Sequence, residues 1–327
     1  MTARPSNPGT VLQLPSALVA EHEIIGTSRA TRAVVELMER CARTLLPVLI
    51  VGATGTGKEL VARGIHRLSG RRGEFVEVDC GALPSTMTEG LLFGHRRGAF
   101  TDAREHRAGF VEGAHRGTLF LDEITNLSLG GQGALLRVLE TGEVRRLGES
   151  DKRPVDLRVV AAAQDGLQSQ LTSGAFRRDL FHRLAGLIIH LEPLARRPDD
   201  VLPLADHFAR RSGTALGIGA AGVLRSHAWP GNVRELRRVI ERASMLAEGS
   251  VLDGVLLAEA IRLGRLSDAS GESVKRQMPA EDQRWADLVA VCERHGWRDA
   301  ELIATELGVH RTTLFRLLRK AGLSLRR

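Results

Sequence analysis

Pro47-Val48-Leu49-Ile50-Val51-Gly52-Ala53-Thr54-Gly55-Thr56-Gly57-Lys58-Glu59-Leu60-Val61-Ala62-Arg63-Gly64-Ile65-His66 joins an apolar, β-branched run to a helix-like pattern through a glycine-rich turn. Strand, glycine-rich turn and helix form the context that a phosphate-binding loop requires. The glycines let several backbone N–H groups converge on one anion, and the following helix adds the positive end of its dipole. Lys58 then reaches the β- and γ-phosphates of a nucleotide as a point charge. The generic pattern places Ser or Thr after the lysine to hold Mg²⁺; here that residue is Glu59. Glycine-rich turns also form for packing reasons, but the preceding strand and the lysine in register favour the phosphate reading.

The rest of the chain supplies what such a loop needs. Phe75-Val76-Glu77-Val78-Asp79-Cys80 alternates apolar and polar residues as a second strand. Gly117-Thr118-Leu119-Phe120-Leu121-Asp122-Glu123 reads as a buried strand that delivers two carboxylates at its tip. In a nucleotide site the first holds Mg²⁺ and the second polarises the attacking water. A helix is expected from Gln132 to Glu140, then a polar hairpin to Pro154. Further buried strands are expected at 156–163 and 187–191. Strands alternating with helices predict an α/β fold, a parallel sheet with helices on both faces. Residues 89–109 form a glycine- and arginine-rich insertion without period, in which Phe100 is a large apolar residue in polar company.

From Pro193 to about Gly249 the pattern is helical only, including 199–211 and 232–246, and reads as a small lid on the α/β part. Periodicity fades over 250–283, a linker. Residues 284–327 read as three short helices, the last two joined by Leu307-Gly308-Val309 as a helix-turn-helix. His310, Arg311, Thr312, Arg316, Arg319 and Lys320 are its candidate DNA contacts, and no acid follows Leu307. A helical hairpin with a solvated basic face is the plainer alternative.

Composition agrees with this plan. A chain of 327 residues has room for two or three domains. Its net charge of +7, carried mostly by arginine, suits a polyanionic partner. Cys41, Cys80 and Cys292 have no metal-binding or disulfide spacing, which points to a reducing cytoplasm. The absence of a long apolar run predicts no membrane span. Residues 1–22, with four of the prolines and glycines, read as a tail too short for a regulatory domain.

With these pieces assembled, residues from about 23 onward resemble the bacterial enhancer-binding proteins, AAA+ activators of sigma-54 RNA polymerase. The resemblance lies in Gly52 to Leu60, Leu92-Phe93-Gly94-His95, Gly98-Ala99-Phe100-Thr101, Gly117 to Glu123, Phe176-Arg177-Arg178-Asp179-Leu180 and Trp229-Pro230-Gly231-Asn232-Val233-Arg234-Glu235-Leu236. The C-terminal unit is similar to the family's Fis-type helix-turn-helix. The domains implied are an ATPase subdomain over 23–192, a lid over 193–249 and a DNA-binding domain over 284–327.

The resemblance also implies roles. Lys58 and its loop, Gly52 to Leu60, would bind ATP, and Glu59 matches the family's own departure from Ser/Thr. Asp122 would hold Mg²⁺ and Glu123 would activate water. Arg177 and Arg183 match arginine fingers reaching a neighbouring subunit, and Arg234 matches a lid arginine that senses nucleotide. Ile24, Ile25 and Gly26 match the segment lining the adenine pocket. Gly98, Ala99, Phe100, Thr101, Asp102 and Ala103 match the loop that touches sigma-54. Three positions depart from the family pattern: Asp102 stands for a glycine, Asp79 for an asparagine that restrains the catalytic glutamate, and Ala163-Gln164 for Thr-Asn.

The expected activity is ATP hydrolysis in a ring, a hexamer by resemblance, that remodels the closed promoter complex of sigma-54 RNA polymerase from an upstream DNA site. The alternative is a DNA-binding regulator whose ATPase domain oligomerises without remodelling, an option the Asp102 substitution leaves open. Control is then expected from a partner protein, from expression level or from a ligand on the ATPase domain.

Overall fold

The computed structural model describes residues 24–84, 86–99, 105–247, 251–264, 300 and 302–303. Five parallel strands build the central sheet: β1 Val48–Gly52, β2 Phe75–Asp79, β3 Thr118–Asp122, β4 Arg158–Ala163 and β5 Leu187–Leu191, in the order β2-β3-β4-β1-β5. Because all five run the same way, their C-terminal tips share one edge. The register sets Asp79 beside Asp122 and Gly52 beside Leu191, which gathers the loop and the carboxylates predicted from sequence.

Successive side chains of a strand point to opposite faces, and the two faces form separate cores. Leu49, Leu119, Leu121, Val159 and Ala161 pack with Leu92, Phe93, Leu135, Phe176 and Leu180 on one side. Val48, Ile50, Phe120, Val160 and Ala162 pack with Val34, Met38, Val61 and Ile65 on the other. β4 is buried at every position, as a central strand covered on both faces must be. Its first residue, Arg158, is fully buried and donates from Nη1 to the Ala42 carbonyl and from Nη2 to the Cys41 carbonyl, both at 2.8 Å. It thereby satisfies carbonyls at the end of helix Arg29–Ala42 that have no partner within the helix.

The helix predicted at 132–140 runs Leu129–Thr141, and the polar hairpin pairs Glu143–Arg145 with Lys152–Pro154. The insertion, aperiodic in sequence, contains helix Thr88–Phe93 and a short pairing of Gly94–His95 with Arg107–Ala108. Arg96 N donates to the Leu147 carbonyl and Leu147 N to the Gly94 carbonyl, each at 2.9 Å, so the insertion's base is tied to the polar hairpin. Arg146 reinforces the junction with a bidentate grip on Glu112, at 2.6 and 2.7 Å. Gly98, at φ 81°, and Ala99, whose N–H donates to the Arg96 carbonyl, form a turn. Phe100, Thr101, Asp102 and Ala103 lie outside the described residues.

The lid corrects one expectation. Besides helices Val201–Arg211, Ala220–Ser226 and Asn232–Leu246 it contains a parallel pair of two-residue strands, Ala215–Leu216 with Val251–Leu252. Two residues carry no legible period, so the pattern read as helical only. The linker expected from 250 likewise meets this strand and helical backbone over 254–264. The chain divides into two units, Met1–Ala260 and Ile261–Arg327. In the second, the described residues 261–264, 300 and 302–303 are helical. The expected DNA contacts His310 to Lys320 lie outside the described residues. Among the described residues no helix is long and apolar enough to cross a membrane.

Candidate functional site

The loop after β1 is shaped by its glycines. Gly55 and Gly57 take φ of 79° and 105°, left-handed values that L side chains rarely adopt. A Cβ on Gly55 would also collide with the Gly231 carbonyl of the lid. Helix Lys58–Ser69 starts immediately after, with Gly57 as its N-cap. Its first residue is held back over the loop: Lys58 Nζ donates to the Gly52 carbonyl at 2.8 Å and to the Ala53 carbonyl at 3.2 Å. Burial pushes its ammonium below the usual lysine range; Asp122, Glu123 and Asp165 oppose the shift, while Arg234 adds to it.

Opposite stand the tips of β3 and β4. Burial raises the Asp122 carboxyl above its ordinary range, opposed by the hydrogen bond from Glu123 N, at 2.8 Å, and by Lys58. Glu123 adopts φ 48°, ψ 43°, an uncommon backbone for a residue with a side chain. Its Oε1 accepts from Gln164 Nε2 and its Oε2 from Asn126 Nδ2, both at 2.8 Å. Asp79, one of the departures noted above, uses Oδ1 to accept from Gly81 N at 2.9 Å and Ala82 N at 3.3 Å.

The lid closes the third side. Trp229 and Asn232 both take left-handed backbone, φ 51° and 54°. The buried Trp229 anchors itself by donating from Nε1 to the Leu224 carbonyl at 2.9 Å. Asn232 then bridges two parts: Nδ2 donates to the Thr54 carbonyl at 3.0 Å and Oδ1 accepts from Leu194 N at 2.8 Å. Val233 N and Arg234 N donate to the Gly55 carbonyl, at 2.9 and 3.3 Å. The start of helix Asn232–Leu246 is therefore bolted to the phosphate loop. A second bolt is Asp200, fully buried, which accepts from Thr27 N, Ser28 N, Ser28 Oγ and Thr31 Oγ1 at 2.6–2.8 Å. Its neighbour Arg197 donates to the Thr56 carbonyl at 2.9 Å.

These parts enclose a cavity of about 710 Å³. Of the residues expected from sequence, Ile24, Ile25, Thr54 to Leu60, Asp122, Glu123 and Arg234 line it. Gly26 instead lies against Asp200, where a Cβ would come within 2.7 Å of Oδ1. Arg177 and Arg183 are not among the lining residues. Arg177 forms a bidentate pair with Asp179, at 3.0 and 2.7 Å, and Arg183 donates to the Leu139 carbonyl at 3.2 and 2.7 Å. The sequence reading missed the lining residues Arg197, Leu204, His207, Phe208, Arg211 and Arg237. These six come from the lid, where no short motif marks them; Ala30, Thr31 and Val34 of helix Arg29–Ala42 and Leu191 at the tip of β5 line the cavity as well. Burial and Arg211 keep the His207 imidazole below its usual pKa.

The chemistry of the lining suits a polyphosphate bearing a flat apolar base. Lys58 and Arg234 supply positive charge, backbone N–H groups of a left-handed turn supply donors, and Ile24, Ile25 and Leu204 supply an apolar wall. Among the described residues no group of three or more His, Cys, Asp or Glu side chains could form a metal cage. A single carboxylate at Asp122 fits Mg²⁺, which keeps several waters and is commonly held by one or two carboxylates together with substrate phosphates.

Known proteins resemble this chain. Residues 24–190 match the family model of the sigma-54 interaction domain, and residues 195–273 match that of an AAA+ ATPase lid domain. The chain is 47% identical over 244 residues to the Sigma54-dependent transcriptional activator SfnR of Pseudomonas putida, covering 72% of this chain and 66% of that one. It is 44% identical over 252 residues to the anaerobic nitric oxide reductase transcription regulator NorR of Vibrio vulnificus, covering 73% of this chain and 49% of the other. Against several curated relatives, the chain thus spans about half their length. Among solved structures, NtrX from Brucella abortus in complex with ADP superposes with a TM-score of 0.66 at 31% identity, over 92% of this chain and 70% of that one. A RuvB mutant of Thermotoga maritima, at 17% identity and TM-score 0.54, shares the fold alone. With the matched domain covering more than half of its length, this chain belongs to the sigma-54 interaction domain family and carries that domain together with an AAA+ lid.

Proposed function

We propose that this chain is a DNA-binding AAA+ ATPase that activates transcription by sigma-54 RNA polymerase, hydrolysing ATP in a ring to remodel the closed promoter complex. The observation that carries the reading is the convergence of Lys58, Asp122, Glu123 and the lid's Arg234 on one cavity. Lys58 and the loop N–H groups hold the phosphates, and Arg234 reports nucleotide to the lid through its helix, which is bonded to Gly55. Glu123 takes the proton of the attacking water. Mg²⁺ held by Asp122 would neutralise charge between the β- and γ-phosphates. Arg177 and Arg183, outside their own cavity, act on a neighbouring subunit's γ-phosphate, which makes hydrolysis depend on ring assembly. Residues 98–103 engage sigma-54 and the C-terminal unit binds an upstream site; cytoplasmic location follows from that role.

The test is ATP-dependent open-complex formation at a sigma-54 promoter, with phosphate release measured in parallel. Lys58→Ala loses ATP binding because the phosphate charge loses its counter-charge. Glu123→Gln keeps binding and stops turnover. A parental protein that hydrolyses ATP and binds DNA yet stays silent at the promoter, together with a silent Asp102→Gly variant, overturns remodelling and leaves the oligomerising regulator.

A further inference from the structure

Gln132 is fully buried, near the start of helix Leu129–Thr141. Both ends of its amide meet backbone. Nε2 donates to the Leu127 carbonyl at 2.8 Å and to the Ala175 carbonyl at 3.1 Å, and Oε1 accepts from Arg177 N at 2.9 Å. An amide carries two N–H donors and one carbonyl acceptor. Two carbonyls on one side and an N–H on the other fix which end is oxygen. The side chain thus reaches across 43 and 45 residues of sequence to hold Ala175 and Arg177, on either side of the buried Phe176.

Arg177 is the N-cap of helix Arg178–Leu184, with extended backbone at φ −70°, ψ 132°. Its carbonyl accepts from Phe181 N at 3.1 Å, so the helix fixes the peptide that follows it. Gln132 fixes the peptide that precedes it. The root of the side chain is therefore pinned on both sides. The guanidinium is held less firmly. It pairs with Asp179, and the two side chains are 43% and 50% exposed. Such a surface pair exchanges for another anion at little cost. A fixed root and a releasable tip are what a side chain needs to reach a phosphate on another molecule. If the root drifts, the tip misses, and a displacement of ~1 Å at a positioning group costs about 10²-fold in rate.

We propose that Gln132 is a positioning residue for Arg177, setting the root of the arginine that acts on the neighbouring subunit's nucleotide. This role rests on the reading of Arg177 given above. The test uses the full chain with Mg-ATP, following phosphate release, affinity for a fluorescent ATP analogue and thermal unfolding. Gln132→Met keeps the volume and loses all three bonds. Gln132→Asn keeps the amide but is one methylene too short to span its partners. Both lower the unfolding midpoint, since buried groups lose partners, and turnover is measured below it. Each is expected to lower kcat about 10–100-fold with analogue affinity unchanged. Arg177→Ala loses more, since an arginine acting in trans is worth about 10³–10⁵ in kcat. The deciding measurement adds excess Glu123→Gln protein, whose own site is dead but whose Arg177 is intact. In mixed rings that arginine serves the variant's site, so both Gln132 variants and Arg177→Ala regain turnover. A merely structural defect stays within the variant's own subunit and is not rescued. Parental kcat in both Gln132 variants overturns the role, as does a loss in analogue affinity instead of kcat. Rescue of Arg177→Ala but not of the Gln132 variants also overturns it. Loss of cooperative unfolding in both variants assigns Gln132 to the fold alone and overturns it too. If Arg177→Ala regains nothing in rings shown by native mass spectrometry to be mixed, the reading of Arg177 fails and the role of Gln132 with it.

Discussion

Asp200→Ala is the substitution expected to cost this fold most for its size. The side chain is fully buried and accepts from two backbone N–H groups, Thr27 and Ser28, and from two hydroxyls, those of Ser28 and Thr31. It also faces Arg197, whose Nη1 lies 3.8 Å from Oδ2 and whose side chain is 9% exposed. Removing one partner of a buried pair costs about 3–5 kcal/mol, because the other charge is left uncompensated. The two hydroxyls can rotate to other acceptors, but the two N–H groups cannot, and each buried donor left unmet costs about 1–3 kcal/mol. Water entering the vacated space offsets part of this, so a loss of about 4 kcal/mol is expected. For a domain of this size that lowers the unfolding midpoint by about 8–16 °C. Asp200→Asn keeps an acceptor for the two N–H groups and loses the charge facing Arg197, so about 2 kcal/mol is expected. Adding Arg197→Met to Asp200→Ala recovers part of the loss, since no unpaired cation remains. Because Asp200 anchors the residues that follow Ile24 and Ile25 in the cavity wall, affinity for an ATP analogue falls as well. Urea unfolding followed by circular dichroism and analogue titration measure both. A stability change under about 1 kcal/mol for Asp200→Ala would refute the reasoning, because buried donors and a buried cation cannot lose their acceptor so cheaply.

Two further outcomes follow from the charges. The Arg177 guanidinium holds the Asp179 carboxyl at about 2, below the usual aspartate range. A group depressed in the folded state contributes stability above its unfolded pKa, and that contribution is lost as pH falls toward the folded value. In Arg177→Ala the Asp179 resonance should therefore titrate at higher pH by NMR, and an unmoved titration would show that the pair does not form in solution. Burial first, then the nearby Asp79, Asp122 and Glu123 charges, push the Cys80 thiol up to about 12. The native thiol stays protonated while the unfolded one ionises, so stability falls as pH rises from the ordinary thiol range toward that value. Cys80→Ala should flatten this alkaline decline in urea unfolding, and Cys80 should resist iodoacetamide at pH 8 until the protein is unfolded.

Much of the fold was legible because its signals are local. The apolar runs at 48–51, 118–121 and 159–163 are buried strands with no alternation to confuse, and helix Asn232–Leu246 has the bounds its sequence period marked. The two-residue strands of the lid were not legible, since two residues cannot display a period and their pairing partner lies 36 residues away in Val251–Leu252. The helical backbone over 254–264 read as linker although its buried residues Leu257, Ala260 and Ile261 recur at helical spacing and Asp253 Oδ1 accepts from Leu256 N at its start.

For the site, sequence alone determined the loop, Lys58 and the pair Asp122-Glu123, because bonded neighbours set that chemistry. Strand, turn and helix succeed one another within a few residues, so backbone conformation and charge are specified together. Tertiary structure alone decided what holds those groups in place. Asp200 grips Thr27 and Ser28 across more than 170 residues, and Gln164 reaches Glu123 across 41. Nothing near Asp200 or Gln164 in the chain marks either contact. A buried carboxylate or amide finds its partner through the packing of a parallel sheet, whose strand order β2-β3-β4-β1-β5 departs from the order of the chain.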